Sequence, residues 1–366
     1  MRPWFGTKSR SPDCNGINIV YSLQSKGPSM SPRNNVIKFL ILCLVWGLTW
    51  IAVKTGIETV PPMMFAATRF LCAGLLLSGW SLRSCRIPFA AGEDLVRLVF
   101  ASLLMITLCY GPLVWGMQFV ASGTAAVIEM SLTPLALLGF GILLGEERWS
   151  GARAFAMIIG MIGLSCLFSP TLEFTSLSGT AGIVGLLAIS WSAVSSAWGS
   201  VLARPLITRY GSTFVSGCTT LIGGGGLFLS SLVFEPEATA SLQAPWNWQA
   251  VASWLFLVLF GSLIGYSIYL QLIRDIGPAR AGSFAFVSPI VAVAVGVMIA
   301  GEALSAAGMF GMILMLLAAA ICLYGYQDSS RSSRHDDAEA DEGCALEVAV
   351  ELRCNGRQGE AARRIR

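Results

Sequence analysis

The chain has 366 residues, of which 55% are apolar and 12% charged, with a formal net charge of +3. A soluble domain carries about 25% charged residues, so these charges are too few to coat a water-facing surface, and the mean hydropathy of +0.69 agrees. No basic block is interleaved with aromatics in a polar segment, which excludes nucleic acid as a partner. The only histidine, His335, lies in a polar tail, which excludes a histidine metal site or proton relay inside a membrane.

Residues 1–36 are polar, contain Pro3, Pro12, Pro28 and Pro32, and lack the apolar core of a signal peptide. They read as a disordered cytosolic leader, with Met30 as an alternative start. Apolar runs of about 20 residues, the length that crosses a bilayer as a helix, then follow one another. The first, 37–57, contains WGLTWIAVK, with Trp46, Trp50 and Lys54 on one helical face. The second, 62–81, opens with PPMMFAATRF and carries Arg69 in its interior. The third, 97–118, holds Tyr110 and the set Gly111, Trp115 and Gln118. The fourth, 122–145, aligns Ser122, Glu129 and Thr133, then Pro134, and runs out into Glu146 and Glu147. A fifth run at 152–170 precedes an outer linker, 171–178.

The sixth run, 179–203, aligns Trp191, Ser195 and Trp198. The seventh, 212–233, holds four consecutive glycines, Gly223 to Gly226, which should loosen the helix and permit bending. The eighth, 251–273, carries the close-packing pair Gly261 and Gly265 and the face Ser262, Tyr266 and Tyr269. The ninth and tenth occupy 279–300 and 305–326, and residues 327–366 form a polar tail that reads as disordered and cytosolic. Every run is continuously apolar, whereas barrel strands alternate, so the fold class is all-α integral membrane.

Charge supports a count of ten. With the N-terminus in the cytosol, Arg83, Arg86, Arg97, Arg148, Arg153, Arg204, Arg209, Arg274 and Arg280 fall at cytosolic ends, together with both tails. Of the 24 Lys and Arg residues only Lys54 and Arg69 do not, and they lie within spans. The outer loops carry Glu58, Glu173, Glu235, Glu237 and Glu302 without a base. This is the positive-inside pattern, and a nine- or eleven-helix count would break it.

Two stretches match at an offset of about 155 residues: GTAAVIEMSLTPLALLGFGILLGEERWSG from Gly123 and ARAGSFAFVSPIVAVAVGVMIAGEALSAAG from Ala279. Pro134 aligns with Pro289, Gly141 with Gly296, Glu147 with Glu302 and Ser150 with Ser305; Trp46-Gly47 matches Trp198-Gly199 more weakly. Five helices per half is an odd number, so the second half (179–326) enters the membrane inverted relative to the first (37–170). Such pairing lets a central site open to one side and then the other.

These motifs resemble the drug/metabolite transporter superfamily, specifically its EamA-type ten-helix members. The resemblance covers 37–326 and rests on WGLTWIAVK, PPMMFAATRF, the repeated Pro…Gly-Glu…Ser pattern and YSIYLQLIRDIGPARAGSFAFVSPI. It implies a central cavity between the halves, cytosolic termini, and efflux or exchange of amino acids or other small organic metabolites across the bacterial cytoplasmic membrane. The doubled Glu146-Glu147 and the mid-span Glu129 depart modestly from the pattern.

An in-span charge costs about 2.5–3.5 kcal/mol on insertion scales, so it needs a partner or a cavity. Glu129 is expected to face the bundle interior and pair with Arg69 or Lys54, as a structural pair or as a site for substrate or a coupling proton. Aromatic faces bearing Trp46, Trp50, Tyr110, Trp191, Trp198, Tyr266 and Tyr269 are expected to line part of a cavity for an amphipathic organic molecule, with helix packing as the alternative. Nothing reads as a phosphate-binding G-x-x-x-x-G-K-[ST] motif, the ten scattered cysteines form no C-x-x-C pair, and neither cofactor nor metal is expected. A membrane-embedded enzyme or a ligand-sensing protein are the alternatives. The cytosolic loops offer an enzyme only Glu93, Asp94, Glu146, Glu147 and Asp275. A homodimer stays open.

Overall fold

The computed structural model describes residues 32–84, 92–120, 122–169, 179–300 and 305–323. The 171–178 linker, Glu302 and the 327–366 tail lie outside them. Ten helices follow in order: α1 Pro32–Gly56, α2 Pro62–Ser84, α3 Gly92–Gly116, α4 Ser122–Leu143 and α5 Gly151–Leu167, then α6 Thr180–Tyr210, α7 Ser212–Phe234, α8 Trp248–Ile276, α9 Pro278–Ala300 and α10 Ala306–Leu323. A six-residue helical segment, Ala238–Gln243, lies in the connection before α8. No strand occurs among the described residues. Nine of the helices are long and apolar enough to cross a membrane, and α5, with 17 residues, is apolar but shorter. At 1.5 Å per residue it spans about 25 Å, a few ångströms less than a bilayer core.

The exterior carries large apolar side chains, among them Leu40, Leu44, Leu75, Trp80, Phe100, Leu143, Phe155, Leu187, Leu229 and Ile313. The interior holds Ser192, Ser195, Ser200, Ser216, Thr219, Thr220 and Ser231 at 0% exposure. A lipid solvent explains this inversion: apolar groups gain nothing by hiding from it, whereas hydroxyls must find partners. Several do so locally, Thr219 and Thr220 donating to carbonyls one turn back.

Packing obeys the inverted repeat. Under the pairing α1/α6, α2/α7, α3/α8, α4/α9 and α5/α10, each inter-half contact has its mate: α1 packs on α8 and α9, and α6 packs on α3 and α4. Likewise α2 touches α8 and α7 touches α3, while α2 packs on α7 itself. At the α5/α10 crossing two glycines face each other. A Cβ on Gly163 would lie 2.7 Å from the Gly311 carbonyl oxygen, and one on Gly311 would lie 2.5 Å from that of Gly163.

Direction follows from the ends. The start of α1 meets the end of α8 through Lys38 and Asp275, 3.3 Å apart. The end of α6 meets the start of α3 through Arg209 and Asp94. Equivalent helices therefore run oppositely. The same end of the bundle carries Glu147 with Arg153, and Glu146 with Arg204 at 2.7 Å. At the opposite end, Glu235 accepts from the first-turn amides of Met63 and Met64 at 2.8 and 2.9 Å and from Ser231 at 2.6 Å, and the described connecting loops there carry no Lys or Arg.

Two features escaped the hydropathy pattern. α3 contains a π-helical turn, Leu103–Thr107, and α8 a longer one, Leu257–Tyr266. They sit at equivalent repeat positions. Wider turns free carbonyls from the regular ladder, and side chains from the other half satisfy them. Ser195 of α6 donates to Leu104 O at 2.8 Å, and Trp46 of α1 donates to Gly261 O at 3.3 Å. In addition, α9 is broken at Ser283 into Pro278–Gly282 and Phe284–Ala300. The Gly223–Gly226 run does not interrupt α7, which is continuous from Ser212 to Phe234. It forms a packing seam, since a Cβ on Gly223 would meet Ser102 O at 2.6 Å.

Candidate functional site

The site is built where α1, α2, α3, α8 and α9 converge. Trp46 stands at its centre, tied by its indole N–H to the π-helical turn of α8. Its ring lies 4.6 Å from Phe284, 5.1 Å from Tyr269 and 6.3 Å from Tyr266. Tyr266 continues the cluster to Phe70 at 6.1 Å, and Phe70 meets Tyr110 edge-on at 5.0 Å. Most of these rings tilt or meet edge to face, the arrangement that aligns their quadrupoles favourably. Tyr269 donates its hydroxyl to Ser200 Oγ of α6 at 3.0 Å, a bond within the second half, while Trp46, Phe70 and Tyr110 come from the first.

Arg69 closes one side. It is buried, and its guanidinium lies 4.5 Å from the Phe70 ring and 5.4 Å from the Tyr110 ring. The expected ion pair of Glu129 with Arg69 or Lys54 does not form: no nitrogen–oxygen contact within 4.0 Å joins them. The aromatic faces take the place of the carboxylate, and such cation–π contacts are worth about 2 kcal/mol when desolvated. Lys54 sits two residues from the end of α1 with an exposed side chain. Glu129 is half-buried on α4 and acts electrostatically on Tyr110 and Tyr269.

Of the residues singled out, the structure thus gathers Trp46, Arg69, Tyr110, Tyr266 and Tyr269, with Glu129 in their field. It does not gather the rest. Trp50 packs with the α4, α5 and α9 core. Trp191 is 43% exposed and Trp198 37%, the latter stacked on Phe140 at 5.6 Å. Pro134 and Pro289 are buried within α4 and α9. Glu147 accepts the Ala279 amide of α9 at 2.8 Å, besides its pairing with Arg153. Phe70, Phe284 and Ser200 were missed. Phe70 could have been found from its place beside Arg69 in PPMMFAATRF, but Phe284 and Ser200 carry no signal beyond being ordinary apolar and small in-span residues.

Ten antiparallel-repeated helices around a polar-lined interior define a polytopic membrane protein of the inverted-repeat type. The model of the EamA-like transporter family matches residues 34–169 and again 183–324, and the chain belongs to that family. It is 32% identical to the uncharacterized inner membrane transporter YedA of Escherichia coli (strain K12) over 270 residues, 72% of this chain and 82% of YedA. It is 26% identical to the uncharacterized transporter YvbV of Bacillus subtilis (strain 168), across 80% of this chain and 92% of YvbV, and 24% identical to the protein PagO of Salmonella typhimurium, across 77% and 90%. A solved crystal structure superposes with a TM-score of 0.66 over 81% of this chain and 99% of its own length, at 18% identity. That likeness concerns the fold alone.

Proposed function

We propose that the protein is a secondary transporter of the bacterial inner membrane that exports small organic metabolites or amino acids. The two five-helix units, 37–170 and 179–326, alternate a shared central site between the two sides. The observation that carries this reading is the aromatic cluster of Trp46, Phe70, Tyr110, Tyr266 and Tyr269, with Arg69 against two of its rings, at the junction of the halves. Flat apolar walls with a few polar handles suit an amphipathic organic molecule. The membership in a transporter family and the name of the Escherichia coli relative support the same reading. The end bearing Lys38, Arg153, Arg204, Arg209 and Arg274 faces the cytosol in this reading, as do both termini, because bases collect on that side. Glu129 is the coupling carboxylate, taking up a proton as substrate leaves.

The test is counterflow of radiolabelled metabolites in proteoliposomes containing the purified chain. Saturable movement that collapses in Trp46→Ala and becomes independent of a proton gradient in Glu129→Gln is expected. Failure of a broad panel to move overturns the transport reading, and an unchanged proton response in Glu129→Gln removes Glu129 as the coupling group. Reporter fusions at the two termini should both report cytosol, and opposite sides would overturn the threading.

A further inference from the structure

Arg69 holds a positive charge inside the bundle that no described carboxylate neutralises directly. The residue is 5% exposed, and its Nε has no hydrogen-bond partner among the described residues. Its flat face is occupied, 4.5 Å from Phe70 and 5.4 Å from Tyr110. Ring contacts use the face of a guanidinium; the Tyr110 hydroxyl takes one of its edge donors, and Nε is left without a partner. Buried donors are nearly always satisfied in a finished structure, so the leftover Nε–H calls for an acceptor that the described chain does not supply. The adjacent hydroxyl is already committed: Thr68 donates to Met64 O at 3.0 Å and accepts from Trp254 at 3.1 Å.

The surroundings of the unspent donor matter as much as its presence. The two rings that cradle Arg69 are the first of a continuous series through Tyr266 to Trp46, Tyr269 and Phe284. A ligand lying along that series has an apolar body and presents one end to the guanidinium. The fork geometry of arginine fits a planar oxyanion. One unpaired arginine balances one negative charge, and a second charge on the ligand would stay buried without a partner. Building on the transporter reading, we infer that Arg69 is the substrate's carboxylate receptor and that the transported molecules are monoanionic organic acids with a flat apolar body.

Binding to the purified full-length chain in detergent tests this with 3-phenylpropionate and its amide, which share a shape and differ in charge. The acid is expected to bind at least about tenfold more tightly than the amide, the span of a charge-assisted hydrogen bond. In Arg69→Gln the acid should fall to the level of the amide while the amide is unchanged. Arg69→Lys should keep a reduced preference, because a point charge lacks the fork. Equal binding of acid and amide by the unaltered protein, no saturable binding of the acid, or a preference that survives Arg69→Gln overturns the inference. Should Arg69→Gln fail to fold, Arg69→Lys decides, and an unchanged preference there overturns it. Counterflow run in parallel separates the two readings. Preferential binding without movement strikes the transporter reading and leaves the Arg69 contact standing, whereas movement without acid preference strikes Arg69 alone.

Discussion

Glu147 links three helices through one carboxylate, and its replacement gives a graded outcome. Its Oε1 accepts the Ala279 amide at 2.8 Å in the first turn of α9, and its other oxygen pairs with Arg153 at the start of α5. Its own amide closes the end of α4 on Gly141 O at 2.9 Å. The side chains of Glu147 and Arg153 are 6% and 15% exposed, so this pair is not of the solvated surface kind. Neighbouring Gly277 must be glycine, with φ at +89° and no room for a Cβ, which would lie 2.7 Å from Glu147 Oε1. Removing one partner of a buried pair costs about 3–5 kcal/mol, and losing a helix-start acceptor about 1 kcal/mol. Because Arg153 lies at a helix start near water and can turn outward, Glu147→Ala should cost about 3–4 kcal/mol. Glu147→Gln keeps an oxygen for Ala279 but loses the charge and turns an amide NH2 towards Arg153, which can swing outward, so it should cost about 1 kcal/mol less than the alanine. The exposed pair supplies the control: the Arg209 side chain is 60% exposed, and Arg209→Ala should cost under about 1 kcal/mol. Unfolding in mixed micelles by denaturing detergent, followed by circular dichroism, reads these differences. A Glu147→Ala protein as stable as the parent, or Gln as damaging as Ala, refutes the reasoning.

Two further outcomes follow from the packing. Within the four-glycine run, Gly225 has nothing within 4 Å of a built Cβ, whereas one on Gly223 would strike Ser102 O at 2.6 Å; Gly225→Ala should stabilise α7 by up to about 1 kcal/mol and Gly223→Ala should destabilise by about 1–3 kcal/mol, measured by the same unfolding titration. The carbonyls freed by the π-helical turns need their donors, so Ser195→Ala, which strands Leu104 O, should cost about 1–3 kcal/mol, while Ser190→Ala, whose hydroxyl serves only its own helix at Leu186 O, should cost under about 1 kcal/mol in a parallel thermal melt.

Hydropathy and charge carried the architecture because lipid imposes both: a span must be apolar along its length, and its basic residues must collect at one end. Helix limits were read short wherever the helix continues past the hydrocarbon. α1 starts at Pro32 rather than 37, α3 at Gly92 rather than 97, and α6 runs to Tyr210 rather than 203. Those extra turns are polar or charged, so an apolar window discards them. Neither π-helical turn was legible, since LLMIT and LVLFGSLIGY are as apolar as the α-helical turns beside them. What marks them is an interaction across the repeat, a donor from the other half, which one helix's sequence cannot display.

The site was legible only in part for a related reason. A helical face can be read from spacing, but whether it turns inward depends on its neighbours. Trp46 and Trp198 occupy matching repeat positions, yet Trp46 centres the aromatic cluster and Trp198 stacks outside it on Phe140. The asymmetry is systematic. At the offset of about 155 residues that relates α4 to α9, Tyr110 corresponds to Gly265 and Glu129 to Phe284, and at the offset of 150 between the starts of α2 and α7 Arg69 corresponds to Thr219. Gly224 lets α7 approach Phe70, where a Cβ would lie 3.0 Å away, and Gly265 leaves space for the Trp46 indole, which a Cβ would meet at 2.5 Å. One half therefore supplies the charges and much of the bulk, and the other supplies the room and the facing rings. A scaffold of two inverted halves needs matching backbones to exchange its two packings. A ligand with distinct ends needs a chamber that is not matched. The repeat thus reveals the scaffold, and the positions that break the repeat mark the candidate binding residues.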